Sequence, residues 1–253
     1  MFSNKVLLLT GASGGIGSAI MDHFAKKIQS ITTSSRKKLN EFLTIKIKPE
    51  NLEHIPRDLT IEDNVIDLFR QVIEKNGKLD ILINCVGGSL FSHPIEDFPV
   101  EQFDKIISLN LRSAFLLTKH AIKVMKNNGG HIIHFVSSSA KNLAPGKAPY
   151  GSAKAGLGHF IHYAASESAK YNIKINGISP TYVFTPRHEA EIQKKMQETT
   201  MTRDAIIENI LQRQLLQRPM HPTDLLDIVE LLASTESITG QIFNCCMGEI
   251  LCY

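Results

Sequence analysis

The chain has 253 residues, of which 43% are hydrophobic and 21% charged, with a formal net charge of +3. Such a length can bury the core of one large α/β domain, and such a composition excludes a disordered chain. The charge balance is too small, and the basic residues too little interleaved with aromatics, for a nucleic-acid partner.

The apolar run at residues 6–9 is too short for a signal-peptide core or a membrane span, so a cytoplasmic protein without a membrane partner is expected. Cys85, Cys245, Cys246 and Cys252 show no CxxC spacing. Neither a zinc site nor a disulfide framework is indicated, and small buried hydrophobes are the expected role.

Residues 5–10 read as a buried strand. It runs into Gly11-Ala12-Ser13-Gly14-Gly15-Ile16-Gly17, after which Ile16, Ile20 and Phe24 recur at helical spacing. Strand, glycine turn and helix in that order aim backbone N–H groups and a helix N-terminus at a phosphate. The spacing is G-x-x-x-G-x-G, not G-x-G-x-x-G, and alone it fits an ordinary strand–helix turn as well. Residues 30–35 are the second expected strand. An NAD site would carry an acidic residue at its end to hold the ribose hydroxyls. Arg36, Lys37 and Lys38 stand there instead. A guanidinium at that point binds a 2′-phosphate, so NADP(H) is preferred over NAD(H); the other reading is a solvated basic helix start.

Residues 44–48 alternate in polarity, but Pro49 and Pro56 interrupt, so any helix there is short. Asp58, Leu59 and Thr60 follow a strand end. Asp58 could accept from an adenine amino group or cap a helix starting near Ile61, whose buried face is marked by Val65, Leu68, Phe69, Val72 and Ile73. Residues 79–83 form a fourth strand. Asn84-Cys85-Val86-Gly87-Gly88 follows, and its glycines permit close backbone approach to a ligand. Residues 100–126 read as one long helix, with Phe103, Ile106, Ile107, Leu111, Phe115 and Ile122 at helical spacing and Asn110 in the middle. An interior Asn is a poor helix former and usually a surface residue; here the expectation is that it bends the helix or holds a water.

Residues 129–154 carry the chemistry. A strand ends at Ser137, a Pro- and Gly-punctuated loop follows, and Pro149 suits the first turn of a helix. Tyr150 and Lys154 then lie on one helix face. The ammonium favours the phenolate, and Ser137 can donate to the same reacting oxygen. Those three residue types make a general-acid site for a carbonyl.

Residues 151–171 read as a helix rich in small side chains, 173–178 as a sixth strand and 179–185 as a loop. Residues 186–218 are polar, with Met196, Met201, Ile206, Ile207 and Leu211 spaced for one or two amphipathic helices; they read as a mobile substrate lid. A last helix is expected at 225–233 and a last strand at 241–245. His159 and His162 lack a third ligand at metal spacing, and His131 and His134 point to opposite faces of a strand, so no metal site is expected. Strands alternating with helices imply one α/β domain over residues 1–253. Its architecture is a Rossmann-type doubly wound parallel sheet of about seven strands flanked by helices, with ligands at the strands' carboxyl ends.

Thr10-Gly11-x-x-x-Gly15-Ile16-Gly17, Asn84-x-x-Gly87, Asn110, Ser137, Tyr150-x-x-x-Lys154 and Asn176-x-x-x-Pro180 occur in the order and spacing of the short-chain dehydrogenases/reductases. The resemblance spans residues 5–248 and looks most like the 3-oxoacyl-[acyl-carrier-protein] reductase-like branch, although alcohol and sugar dehydrogenases share these features. It implies a tetrad of Asn110, Ser137, Tyr150 and Lys154. In it, Tyr150 protonates the carbonyl oxygen, Ser137 orients that oxygen, Lys154 lowers the tyrosine pKa and holds the nicotinamide ribose, and Asn110 binds a relay water. It places Gly11, Ser13, Gly15, Ile16, Gly17, Arg36, Asp58, Leu59, Asn84, Gly87, Tyr150, Lys154, Pro180, Val183 and Thr185 at an NADP(H) cofactor. It also implies a small carbonyl or alcohol substrate, in one version acyl-carrier-linked, and a homotetramer or homodimer joined through helices at 103–126 and 150–170.

Three positions depart from the family pattern. Asn-Asn-Ala-Gly is Asn84-Cys85-Val86-Gly87 with Ile83 first, Pro-Gly is Pro180-Thr181, and a C-terminal Gly-Gly is Met247-Gly248. The last two also leave open a dinucleotide-binding regulator without enzymatic activity.

Overall fold

The computed structural model describes residues 2–42 and 50–251. The readings at residues 44–49 and at Cys252 lie outside the described residues. Among the described residues, seven strands form the sheet: β1 (Val6–Thr10), β2 (Ser30–Ser34), β3 (Leu52–His54), β4 (Ile81–Asn84), β5 (Gly130–Phe135), β6 (Ile173–Pro180) and β7 (Ile242–Cys245). All pairs are parallel, in the order β3-β2-β1-β4-β5-β6-β7.

The sequence of β1, VLLLT, is apolar at successive positions because both faces are covered. Val6 and Leu8 enter one core with Leu82, Ile132 and Ile175. Leu7 and Leu9 enter the other with Ile31, Ile83 and Ile178. The first core is closed by α2 (Glu62–Asn76), α4 (Ser113–Met125) and α5 (Ala148–Ser168), the second by α1 (Gly15–Phe24) and α8 (Leu226–Leu232). Helix α2 begins with Glu62 and Asp63 at its positive end and stops at Gly77, whose φ of 70° is left-handed.

The remaining helices are α3 (Val100–Ile107), α6 (Pro186–Glu198) and α7 (Arg203–Leu211). Among the boundaries that differ from the sequence reading, two lie in strands next to the crevice. β4 starts at Ile81 rather than residue 79, since the Asp80 carboxylate accepts from the Val6 N–H at 2.8 Å and closes the strand entrance. β6 runs on to Pro180, which pairs with Cys245 of β7. A larger difference lies at residues 100–126: α3 and α4 are joined by a π-helical turn, Ser108–Arg112, in which the Ser113 N–H donates to the Ser108 carbonyl. Among the described residues, no helix is long and apolar enough to cross a membrane.

The strand order reverses between β1 and β4. There Thr10 pairs with Ser34 on one side and Asn84 on the other, so three strand ends open on one crevice. Leu82 is fully buried in the first core, whereas Leu143 is 93% exposed. Leu82→Ala should cost about 2–5 kcal/mol of unfolding free energy and Leu143→Ala less than about 0.5 kcal/mol, as read by urea denaturation. Equal costs would contradict the core assignment.

Candidate active site

The glycine loop is built by close approach. Gly11 holds a left-handed φ of +75°, and a Cβ there would lie 2.6 Å from the Cys85 carbonyl carbon. A Cβ on Gly17 would lie 2.3 Å from the Gly11 oxygen. The Gly11 N–H donates to the Ser34 carbonyl at 2.8 Å, tying the loop to the end of β2. Helix α1 then starts with no side-chain cap at Gly14, which leaves its first-turn N–H groups facing the crevice. This cradle fits a dinucleotide phosphate. Around it, the Ser13 hydroxyl has no described partner, Ile16 is half-buried, and Arg36 is exposed without an ion pair to a described residue, two positions beyond Ser34.

Asp58 does not cap α2. Its Oδ1 accepts from the Thr60 N–H at 3.0 Å and the Thr60 hydroxyl at 2.7 Å, and the helix is entered from Ile61 with no side-chain cap. The Leu59 side chain is in the core, so only its backbone can face a ligand.

The Asn84 side chain is occupied inside the protein. Its Oδ1 accepts from the Thr10 hydroxyl at 2.9 Å and the Val86 N–H at 3.0 Å, and its amide faces His134 Nδ1 at 3.1 Å. On the far side of that ring, Nε2 meets Thr118 Oγ1 at 2.9 Å, and the Thr118 hydroxyl gives its proton to the Ala114 carbonyl at 2.8 Å. The proton directions fix the ring: Asn84 donates to Nδ1, and Nε2–H donates to Thr118. A neutral ring is what burial demands, and burial first, then the Lys154 charge, push His134 down to about 3. This chain braces the loop at residues 84–88 to β1, β5 and α4. Sequence reasoning missed His134; its signal was a polar side chain inside an otherwise apolar strand.

Asn110 is fully buried. Its amide donates to the Gly88 and Ile106 carbonyls, each at 2.9 Å, and its Oδ1 accepts from the Gly88 N–H at 2.9 Å. The π-helical turn turns this side chain inward, and the Ile106 carbonyl it takes lies one turn earlier in its own helix. Of the two sequence readings, a bend in the helix or a held water, the π-helical turn around Asn110 accords with the first. Beside it, a Cβ on Gly87 would sit 2.8 Å from Asn110 Oδ1 and 3.0 Å from Lys154 Nζ, so only glycine lets the backbone pass.

Ser137 follows β5; its hydroxyl accepts from the Ser139 N–H at 3.1 Å and lies beside the half-buried Tyr150 phenol. Lys154 is 3% exposed, donates to the Phe135 carbonyl at 2.7 Å, and stands 5.9 Å from the Tyr150 ring centre. Burial pushes Lys154 down to about 8, with the Cys85 thiol acting the other way and Arg187 adding to the fall. Burial raises the Tyr150 phenol above its ordinary value, opposed by the Ser137 hydrogen bond and the Arg187 charge. Lys154 thus stands near the phenol's ring while its ammonium is also held by the Phe135 carbonyl.

Pro180 and Val183 are buried, and Thr185 leads into α6 with its Cβ only 2.6 Å from where a Cβ on Gly15 would lie. The Thr185 hydroxyl bonds His188 Nδ1 at 2.8 Å, and Arg187 donates to His188 Nε2 at 3.0 Å. Arg187 Nη1 would be 2.8 Å from a Cβ on Gly88. Neither Arg187 nor His188 was anticipated, yet the sequence held a cue: cations in the first turn of a helix oppose its dipole. The departure at Thr181 is answered by the C-terminal segment, where Glu249 bonds the Thr181 hydroxyl and Gln214 approaches it at 3.5 Å. Met247, where the family has glycine, takes a left-handed φ of 53°. Among the described residues, no group of three or more His, Cys, Asp or Glu could hold a metal ion.

The neutral His134 ring sets a pH dependence. Its folded pKa, about 3, lies below the ordinary 6.5, so below pH 6.5 the unfolded chain takes up a proton that the folded one refuses. Its contribution to stability is present above about 6.5 and is lost as pH falls toward 3; His131 and His188, also lowered, act in the same direction. The urea midpoint should drop between pH 7 and pH 5, and His134→Asn should shrink that drop. An undiminished drop would remove His134 as its source.

Residues 5–196 match the family of short chain dehydrogenases. The chain is 33% identical over 213 residues to a D-beta-hydroxybutyrate dehydrogenase of Rhizobium meliloti, strain 1021, covering 82% of each chain. It superposes on a short chain dehydrogenase of Leptospira borgpetersenii with bound NAD+ at 29% identity and a TM-score of 0.85, over 98% of this chain and 93% of that one. It is likewise similar to ElxO with NADP bound, at 26% identity and a TM-score of 0.87, over 97% of this chain and 98% of that one. With the glycine cradle, the parallel sheet and the crevice at its switch point, these likenesses establish that the chain belongs to the short-chain dehydrogenase/reductase family of NAD(P)-dependent oxidoreductases.

Proposed function

We propose that this enzyme reduces a ketone to a secondary alcohol with NADPH, the ketone being a 3-oxoacyl thioester or another small 3-oxo compound. The observation that carries the reading is the Ser137–Tyr150 hydroxyl pair at the carboxyl end of β5, with the buried Lys154 amine beneath it. Two neighbouring hydroxyls can both reach one carbonyl oxygen. Ser137 holds that oxygen, and Tyr150, kept protonated by its burial, gives it the proton. Lys154 is fixed by the Phe135 carbonyl against Gly87, where it holds the cofactor's ribose and keeps positive charge under the phenol. Asn110 locks Gly88 and thereby the wall facing Lys154. The bound nicotinamide supplies the hydride, and the protein supplies position and proton. A 3-oxo substrate accords with the Rhizobium relative, since oxidising a 3-hydroxy acid gives a 3-oxo acid.

NADP(H) is the preferred cofactor in this reading. Arg36 lies beside the glycine loop through the Gly11–Ser34 bond, carries no described counter-ion, and has no acidic neighbour at the end of β2. Helices α6 and α7 form the substrate lid over the crevice. The exposed Phe115 and Tyr163, next to Leu111 and Phe160, make an apolar groove on α4 and α5 through which copies of the chain assemble.

Tyr150→Phe should lower turnover of an acetoacetyl thioester by about 10²-fold or more while NADPH still quenches protein fluorescence with the same affinity; unchanged turnover would refute the acid assignment. Arg36→Asp should shift the ratio of kcat/KM values toward NADH. An unaltered ratio would mean that another group reads the 2′-phosphate.

A further inference from the structure

We infer that Arg187 is a specificity-determining residue that binds a carboxylate on the substrate, so that the preferred ketone is a short 3-oxo acid anion. The inference rests on the ketone reduction proposed above and narrows its substrate class.

Arg187 is the second residue of α6, and its guanidinium rests on the Gly87-Gly88 pair. Nη1 reaches within 2.8 Å of the space that a Gly88 Cβ would fill, while Lys154 Nζ lies 3.0 Å from that of Gly87. The two cations therefore flank one glycine wall, and the charge of Arg187 is felt at both Tyr150 and Lys154. Its own charge is weakly compensated. Nη2 donates to His188 Nε2 at 3.0 Å, and that ring is neutral, held down to about 4 mainly by burial. Nε faces Glu191 at 3.6 Å, beyond hydrogen-bond reach. Nη1 has no described partner. At the residue after Gly88, Lys147 Nζ approaches Ser89 Oγ at 3.4 Å. The other nearby acid, Glu189, is paired to Arg203 at 3.0 Å.

The mouth of the crevice is thus cationic, and its central group is a planar fork with a free edge. A guanidinium in that state matches a carboxylate in two parallel hydrogen bonds. A cation in the first turn of a helix also works against the dipole, and the Glu191 carboxylate, 3.6 Å from Nε, offsets that only in part. A neutral ketone or a thioester presents no charge for it to meet.

The test compares acetoacetate with its methyl ester in the NADPH-loaded enzyme. The wild type should have the lower KM for the acid. Arg187→Gln should raise the KM for acetoacetate by about 10–100-fold, leave that for the ester and the affinity for NADPH unchanged, and melt at the wild-type temperature; Arg187→Lys should recover part of the loss. Equal losses for acid and ester, or a wild type that favours the ester, would overturn the inference. So would a parallel fall in NADPH affinity, which would assign the guanidinium to the cofactor's diphosphate. If the wild type reduces neither ketone, calorimetry decides: acetoacetate binding that is lost in Arg187→Gln keeps the inference while the reduction reading falls, and absence of binding removes both.

Discussion

The crevice depends on one clasp. The Asn110 amide takes both polar groups of Gly88, donating to its carbonyl and accepting from its N–H, and it does so from full burial. A buried amide with three partners is expensive to disturb, because any broken bond leaves a polar group without water. The clasp fixes the Gly87-Gly88 wall, and that wall sets how close Lys154 on one side and Arg187 on the other can come. The π-helical turn between α3 and α4 belongs to the same device, since it is the turn that carries Asn110 inward.

A second buried chain supports the first. Thr10, Asn84, His134 and Thr118 link β1, β4, β5 and α4 through hydrogen bonds whose proton directions leave no ambiguity. The loop at residues 84–88 is thereby pinned at its start by Asn84 and at its end by Asn110. After β6, Thr181 is bonded by Glu249 and approached by Gln214, which ties that loop to residues later in the chain.

The charges around Tyr150 give the site its character. Burial alone would hold the phenol high and the Lys154 amine low. The Ser137 hydrogen bond and the Arg187 charge oppose that rise at Tyr150 without overcoming it. A lysine one helical turn from a tyrosine shares its face, but the ammonium goes to the strongest acceptor within reach, here the Phe135 carbonyl.

The sequence by itself determined the parallel sheet, because doubly apolar strands such as VLLLT must be covered on both faces and their spacing leaves room only for crossover helices. It also determined the glycine cradle and the Ser137, Tyr150 and Lys154 set, since each lies at a strand end or one helical turn from the next. Local patterns of this sort are readable because their periods are short. Only the tertiary structure decided what depends on partners distant in the chain. It turned Asn84 away from the crevice toward His134, converted the middle of a long helix into a π-helical turn around Gly88, and laid Arg187 over that glycine from a segment about 100 residues further along. The physical reason is the same in each case: a side chain's partner is chosen by which polar groups burial leaves unmet, and that is known only once the strands and helices are packed.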